Sequence, residues 1–189
     1  MSDIKKQIYV SIDVECDGPI PGEYSMLSLG AYAIDETGEE YGSFYRTIEP
    51  IPGAQQHPDT MVWWRGCPKA FAEATKDPER PQKVMKEFAG WLNNLKAHGQ
   101  VQMIAYPAGF DFTFVHYYLV RYAGRNPLSF HCLDMKTFAM AKLGIPYKEV
   151  SKRSMPQAWK RGLPKHTHNA LDDAKEQAML FVKMLEHKG

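Results

Sequence analysis

Cysteine is scarce in this sequence: Cys16, Cys67 and Cys132 are odd in number and far apart, with no C-x-x-C pair and no zinc-module spacing. A disulfide framework is thereby excluded, and three reduced thiols used for packing suit a cytoplasmic protein. Long apolar runs are missing too. None approaches the roughly 20 residues that cross a bilayer, and residues 1–7 are polar and charged rather than the start of a signal peptide, so no membrane partner is expected. Charge of one sign is also lacking. Net charge is only +1, which argues against a broad electrostatic grip on long nucleic acid while leaving a local basic patch open. No repeat, low-complexity tract or linker interrupts the chain, and 44% hydrophobic content over 189 residues is enough for one core, so 1–189 is read as a single domain.

What is present is clear periodicity. Over residues 8–15 the pattern alternates: Ile8, Val10, Ile12 and Val14 share one face of a strand, and Tyr9, Ser11, Asp13 and Glu15 the other. Gly18-Pro19 marks its end. Residues 26–34 and 41–48 read as two further strands joined by a turn at Glu36-Thr37-Gly38, giving an antiparallel meander. Residues 50–81, rich in proline and holding Trp63 and Trp64, predict loops with short helical pieces. A helix follows Pro81, its apolar positions at helical spacing and Gly99 expected to end it. Then come a buried strand over 101–105, a helix opened by Asp111, a strand over 130–134, and a helix over 135–143 closed by Gly144. A loop-like basic stretch over 147–167 leads to a last helix starting near Asn169, with Leu171, Ala174, Ala178, Phe181, Val182 and Leu185 as its apolar stripe. The order predicts an α/β fold: a mixed five-stranded sheet, three strands antiparallel and then two parallel, flanked by helices.

Three groups of acids stand out. Asp13 and Glu15, two apart on a strand, leave the same face. Burying both is costly unless a cation neutralises them, and an exposed edge strand is the plain alternative. Asp111 follows a strand and begins a helix, where a helix cap and a metal ligand look alike. Asp173 lies five residues after His168, about 140° around an ideal helix. The two meet at one site only if His168 sits in the loop before the helix. Asp172 is read as a first-turn acid complementing the helix dipole. Together the acids form an oxygen-only set suited to Mg²⁺ or Mn²⁺ rather than zinc. Two such ions suit in-line attack on a phosphodiester, with a histidine to accept the water's proton.

In order and spacing, Asp13-Val14-Glu15, Phe110-Asp111 after Ala105-x-x-Ala108, and His168-x-Ala170-x-x-Asp173-Ala174 resemble the three motifs of the DEDDh 3′→5′ exonucleases. This is the RNase T and oligoribonuclease superfamily, with a ribonuclease H-like fold. The resemblance covers roughly residues 7–187. It implies that Asp13, Glu15, Asp111 and Asp173 hold two divalent cations, Mg²⁺ or Mn²⁺, that His168 is the general base, and that nucleoside monophosphates leave a single-stranded 3′ end. It favours RNA over DNA, and relatives suggest a homodimer. Asn169 stands where the tyrosine branch would carry Tyr. Tyr106-Pro107 replaces the His-Asn many members carry before the second motif, which puts a substrate or packing contact in doubt. With Trp63-Trp64, this variant motif is similar to the small bacterial exoribonucleases resembling RNase AS.

Secondary candidates each have a plain alternative. Met26 and Leu27 stand where relatives place apolar groups against the terminal base, but core packing explains such residues equally. Trp63, Tyr106 and Phe110 could stack on bases, each contact worth roughly 1–3 kcal/mol. Lys148, Lys152, Arg153, Lys160, Arg161 and Lys165 could hold phosphates or form a solvated loop. His166-x-His168 has no Cys or third His beside it, so zinc is not expected. His57, His98, His116 and His131 are read as structural. Two rivals remain: a nucleic-acid-binding module that has lost catalysis, and a scaffold whose acids never converge.

Overall fold

The computed structural model describes residues 6–187; residues 1–5, most of the polar N-terminal stretch read above, and 188–189 lie outside the described residues. Five strands, β1 (Gln7–Cys16), β2 (Met26–Asp35), β3 (Glu40–Thr47), β4 (Gln100–Ala105) and β5 (Cys132–Asp134), form one sheet in the order β3-β2-β1-β4-β5. β1 pairs antiparallel with β2, and β2 with β3, whereas β1 and β4, and β4 and β5, run parallel. The expected meander and parallel pair are both there. The consequence for function is that β1 is central, with a strand on either side.

The helices are α1 (Pro58–Gly66), α2 (Pro68–Ala74), α3 (Pro81–Leu95), α4 (Ala108–Ala123), α5 (Met135–Leu143), the short α6 (Gln157–Lys160) and α7 (Ala170–Glu186). Ile8, Val10, Ile12 and Val14 pack with Val84, Phe88 and Leu92 of α3 and Phe114, Val115 and Tyr118 of α4, forming the larger core. The opposite face is covered by α7, where Ala174, Ala178 and Val182 meet Tyr32 and Ile34. β2 is buried along its whole length.

Beyond shifts of a single residue at strand ends, three boundaries differ from the sequence expectation. α3 stops at Leu95 rather than running to Gly99. Gly99 is needed for another reason: a Cβ there would stand 2.3 Å from the carbonyl oxygen of Lys6. β5 begins at Cys132, because a turn held by the Asn126 side chain, which accepts from the Leu128 N–H and donates to the Ser129 carbonyl, leaves Phe130 outside the sheet. α4 begins at Ala108 with Pro107 as its cap, so Asp111 lies within the first turn instead of opening the helix. Gly124 and Gly144, both left-handed at φ +79° and +63°, end α4 and α5 as expected. The apolar stripe of α7 differs from the expected set: Leu180 and Met184 are buried as well, while Leu171 and Leu185 are only half-buried.

Candidate active site

The chemistry of the site follows from the central position of β1. An edge strand would let water solvate Asp13 and Glu15; an interior strand sends both beneath the N-terminal end of α7, and Glu15 is buried. α7 is started by Asn169, whose side chain accepts from the N–H groups of Leu171 and Asp172 at 3.0 and 3.3 Å, a cap worth about 1 kcal/mol. That start brings Asp173, 1% exposed, to the strand. One carboxylate oxygen from each of Asp13, Glu15 and Asp173 lies within 4.8 Å of the other two. The scaffold of unrelated acids is therefore excluded for these three.

Asp111 approaches from α4, near enough for its charge to act on Asp13 and Glu15, but stands outside that 4.8 Å group. It is not a cap: its Oδ1 accepts from the N–H of Val14, between the two β1 acids, at 3.0 Å. The bond pins the first turn of α4 to β1. Asp172, by contrast, is exposed and accepts from the Thr167 hydroxyl at 3.0 Å, outside the cluster.

Electrostatics distinguish the four acids. Burial, then the charges of Asp111, Glu15 and Asp173, push Asp13 well above the usual carboxylate range, against the opposing hydrogen bond from Gln177. Burial and the charges of Asp173 and Asp111 push Glu15 up to about 8. Burial pushes Asp111 up to about 7, although the Val14 N–H works the other way. Burial also opposes ionisation of Asp173, but His166 and the N–H groups of Thr167 and His168 outweigh it and hold this carboxyl below its ordinary value. Three carboxylates that resist ionisation together, offering only oxygen, are a donor set that a hard divalent cation would neutralise.

His168 lies in the loop before α7 with a left-handed backbone, φ +58°. Its N–H donates to Oδ2 of Asp173 at 3.0 Å, and the Thr167 N–H donates to Oδ1 at 2.9 Å. These bonds join residue 168 to the helical acid five positions later, as the spacing required. Burial, then the neighbouring His166, lower the pKa of the His168 ring, favouring the neutral form that can accept a proton.

The secondary candidates divide. Trp63 stands 43% exposed, its ring edge-on to His168 at 5.0 Å. Its neighbour Trp64 is buried and donates from Nε1 to the Cys16 carbonyl at 3.0 Å, latching α1 to the end of β1. Phe110 is 38% exposed in the same helical turn as Asp111. Tyr106 is half-buried beside the cluster of Met135 and Phe181. Met26 and Leu27 are corrections: at 0% and 2% exposure they offer no surface to a base. Met26 belongs to the main core, and Leu27 packs on Trp64 and Ala74. Of the basic stretch, Lys152 pairs with Glu176, Lys160 donates to the Arg153 carbonyl, and Arg161's own carbonyl accepts from Lys183. Much of it thus secures a loop against α7.

Two site residues escape a motif reading. The Gln177 amide donates to Oδ1 of Asp13 at 2.8 Å. Its spacing of four from Asp173, on one helix face, was the available signal. His166 Nδ1 lies 3.0 Å from Oδ1 of Asp173; the third group beside the H-x-H pair is a carboxylate.

A mixed sheet that brings acids from β1, α4 and α7 close to a loop histidine is the arrangement that the resemblance of the three motifs implies. The chain belongs to the 3′-5′ exoribonuclease Rv2179c-like domain family, whose model matches residues 8–185. It is 32% identical over 184 residues to the 3′-5′ DNA exonuclease Cap18 of Escherichia coli, covering 93% of this chain and 90% of that one. Its fold superposes with TM-score 0.71 on the nuclease domain of 3′hExo, a DEDDh family member bound to rAMP, at 14% identity over 98% of this chain and 94% of the other. It superposes with TM-score 0.64 on S. pombe Pop2p in its Mg²⁺- and Mn²⁺-bound form, at 14% identity over 92% and 81%.

Proposed function

We propose that this exonuclease is metal-dependent and removes nucleoside monophosphates from single-stranded RNA 3′ ends. The observation that carries the metal dependence is the gathering of Asp13, Glu15 and Asp173 oxygens within 4.8 Å on an interior strand and helix. With Asp111 they would hold two divalent cations, Mg²⁺ or Mn²⁺. Such ions, when bound, supply the charge that polarises the phosphodiester and eases both attack by water and departure of the sugar oxygen. His168 takes the proton of the attacking water at a ring nitrogen. Trp63 flanks that ring and offers an aromatic surface to the terminal nucleotide, and Phe110 offers a second. The free thiols suit a reducing cytoplasm.

The RNA assignment draws on the family description, which speaks of an exoribonuclease. A second reading, DNA 3′ ends, is favoured by the E. coli relative described as a DNA exonuclease. Digestion of matched RNA and DNA oligonucleotides, labelled at either end, with Mg²⁺ or Mn²⁺ separates them. Stepwise shortening from the 3′ end is expected, faster on RNA, and abolished by EDTA and by Asp13→Ala. Faster loss of DNA would select the second reading. Internal cuts, or full activity in Asp13→Ala, would overturn both.

A further inference from the structure

His166 and His168 flank Asp173, and His166 has no part in the reaction proposed above. Nδ1 of His166 lies 3.0 Å from Oδ1 of Asp173, and the two imidazole rings stand 4.4 Å apart at 81°. One ligand atom from each of the three residues comes within 4.8 Å of the other two. The backbone builds this arrangement. The N–H groups of Thr167 and His168 grip both oxygens of the buried Asp173 at 2.9 and 3.0 Å, and His168 turns through a left-handed conformation. The His166 side chain is 46% exposed, so an ion has a route in from solvent.

Two imidazole nitrogens and one carboxylate oxygen are a poor set for Mg²⁺, which takes oxygen in near-octahedral geometry. They are a good set for Zn²⁺, which binds nitrogen and oxygen tetrahedrally at roughly 2.0–2.2 Å and commonly leaves its fourth position to solvent.

We propose that His166, His168 and Asp173 form a second cation site, selective for Zn²⁺ or a similar borderline ion and overlapping the exonuclease site through His168 and Asp173. Occupation engages a ring nitrogen of His168 and an oxygen of Asp173 together. It therefore removes the proton acceptor and diverts one carboxylate from the oxygen-only cluster. Zn²⁺ acts as an inhibitor rather than a cofactor. The inhibition rests on the roles proposed above for His168 and Asp173; binding at this site does not.

The binding arm of the test uses the full-length chain carrying the isosteric change Asp13→Asn, which disables the oxygen-only cluster, titrated with Co²⁺ as a coloured stand-in for Zn²⁺. One equivalent should produce the visible absorption of four-coordinate Co²⁺, displaced by Zn²⁺ but not by Mg²⁺, and absent when His166→Gln is added. No such band, or a band that survives His166→Gln, overturns the proposal. The inhibition arm adds Zn²⁺ to the Mg²⁺-supported digestion by the unsubstituted chain, His166→Gln and His166→Ala. Each is read as a fraction of its own zinc-free rate, with circular dichroism to verify folding. Zn²⁺ should inhibit the unsubstituted chain, and the half-inhibitory concentration should rise at least about tenfold in both variants, the lower end of what losing even an outer metal partner costs. Equal sensitivity of all three overturns the proposal. A chain with no Mg²⁺-supported exonuclease activity defeats the proposed function, while the Co²⁺ titration still decides the site.

Discussion

Gly30 of β2 lies directly beneath Ala170, the first residue of α7: a Cβ on Gly30 would stand 2.1 Å from the Ala170 carbonyl carbon. Gly30 is also the cross-strand partner of Asp13. The missing side chain therefore lets the helix that carries Asp173 descend onto the strand that carries Asp13. Gly30→Ala should cost about 1–3 kcal/mol by overpacking against backbone. It should also reduce exonuclease activity more than the loss of folded protein explains, because α7 must lift. Thermal unfolding and activity, assayed where the variant is fully folded, test this; wild-type turnover would refute it.

Gln177 holds Asp13 through one hydrogen bond while its own Oε1 is buried without a partner among the described residues. Gln177→Leu keeps the volume and removes the donor, leaving Asp13 less restrained against its acidic neighbours. Affinity for Mn²⁺ should fall about tenfold, as for loss of an outer metal partner, with circular dichroism unchanged. Calorimetric titration with Mn²⁺ reads the affinity directly, and an unaltered value would show that Gln177 does not position the cluster.

The raised carboxyls set a pH dependence for the metal-free protein. Between its ordinary 4.5 and its folded value of about 8, Glu15 binds more protons in the folded chain than in the unfolded one. Asp111 does so between 3.8 and about 7. Stability therefore falls as pH rises through this window. Asp173 is shifted downward, so the stability it contributes is lost only in acid, below the window. The melting temperature without metal should be higher near pH 6 than near pH 8.5, and Mg²⁺ or Mn²⁺ should raise it more at the higher pH. Scanning calorimetry in EDTA and in Mn²⁺ measures both slopes; greater metal-free stability on the alkaline side would contradict the electrostatics described.

Adjacent tryptophans should respond in opposite ways. Trp64→Ala removes a buried ring and its bond to the Cys16 carbonyl and should destabilise the fold by about 3–5 kcal/mol. Trp63→Ala, at an exposed position beside His168, should leave the melting temperature nearly unchanged. It should raise KM or lower kcat on oligonucleotides, with about 1–3 kcal/mol of stacking at stake. Denaturant unfolding alongside kinetics separates the pair, and a Trp63→Ala enzyme with unaltered kinetics would remove Trp63 from the substrate surface.

Much of this was legible in the sequence because it depends on local periodicity and local chemistry. Alternation along β1 put Asp13 and Glu15 on one face, Gly144 ended α5 where a left-handed residue was needed, and the Asn169 cap separated His168 in a loop from Asp173 on a helix. Other features depend on which elements become neighbours, and no local pattern encodes that. Only the strand order made β1 interior and turned its two acids from solvated groups into a buried Glu15 and a half-buried Asp13 that repel each other. Only packing showed that Asp111 accepts from Val14 instead of capping α4, that Met26 and Leu27 have no surface left for a base, and that Gln177 and His166 hold Asp13 and Asp173. A hydrogen bond across 164 positions is decided by burial and close approach, which tertiary structure alone supplies.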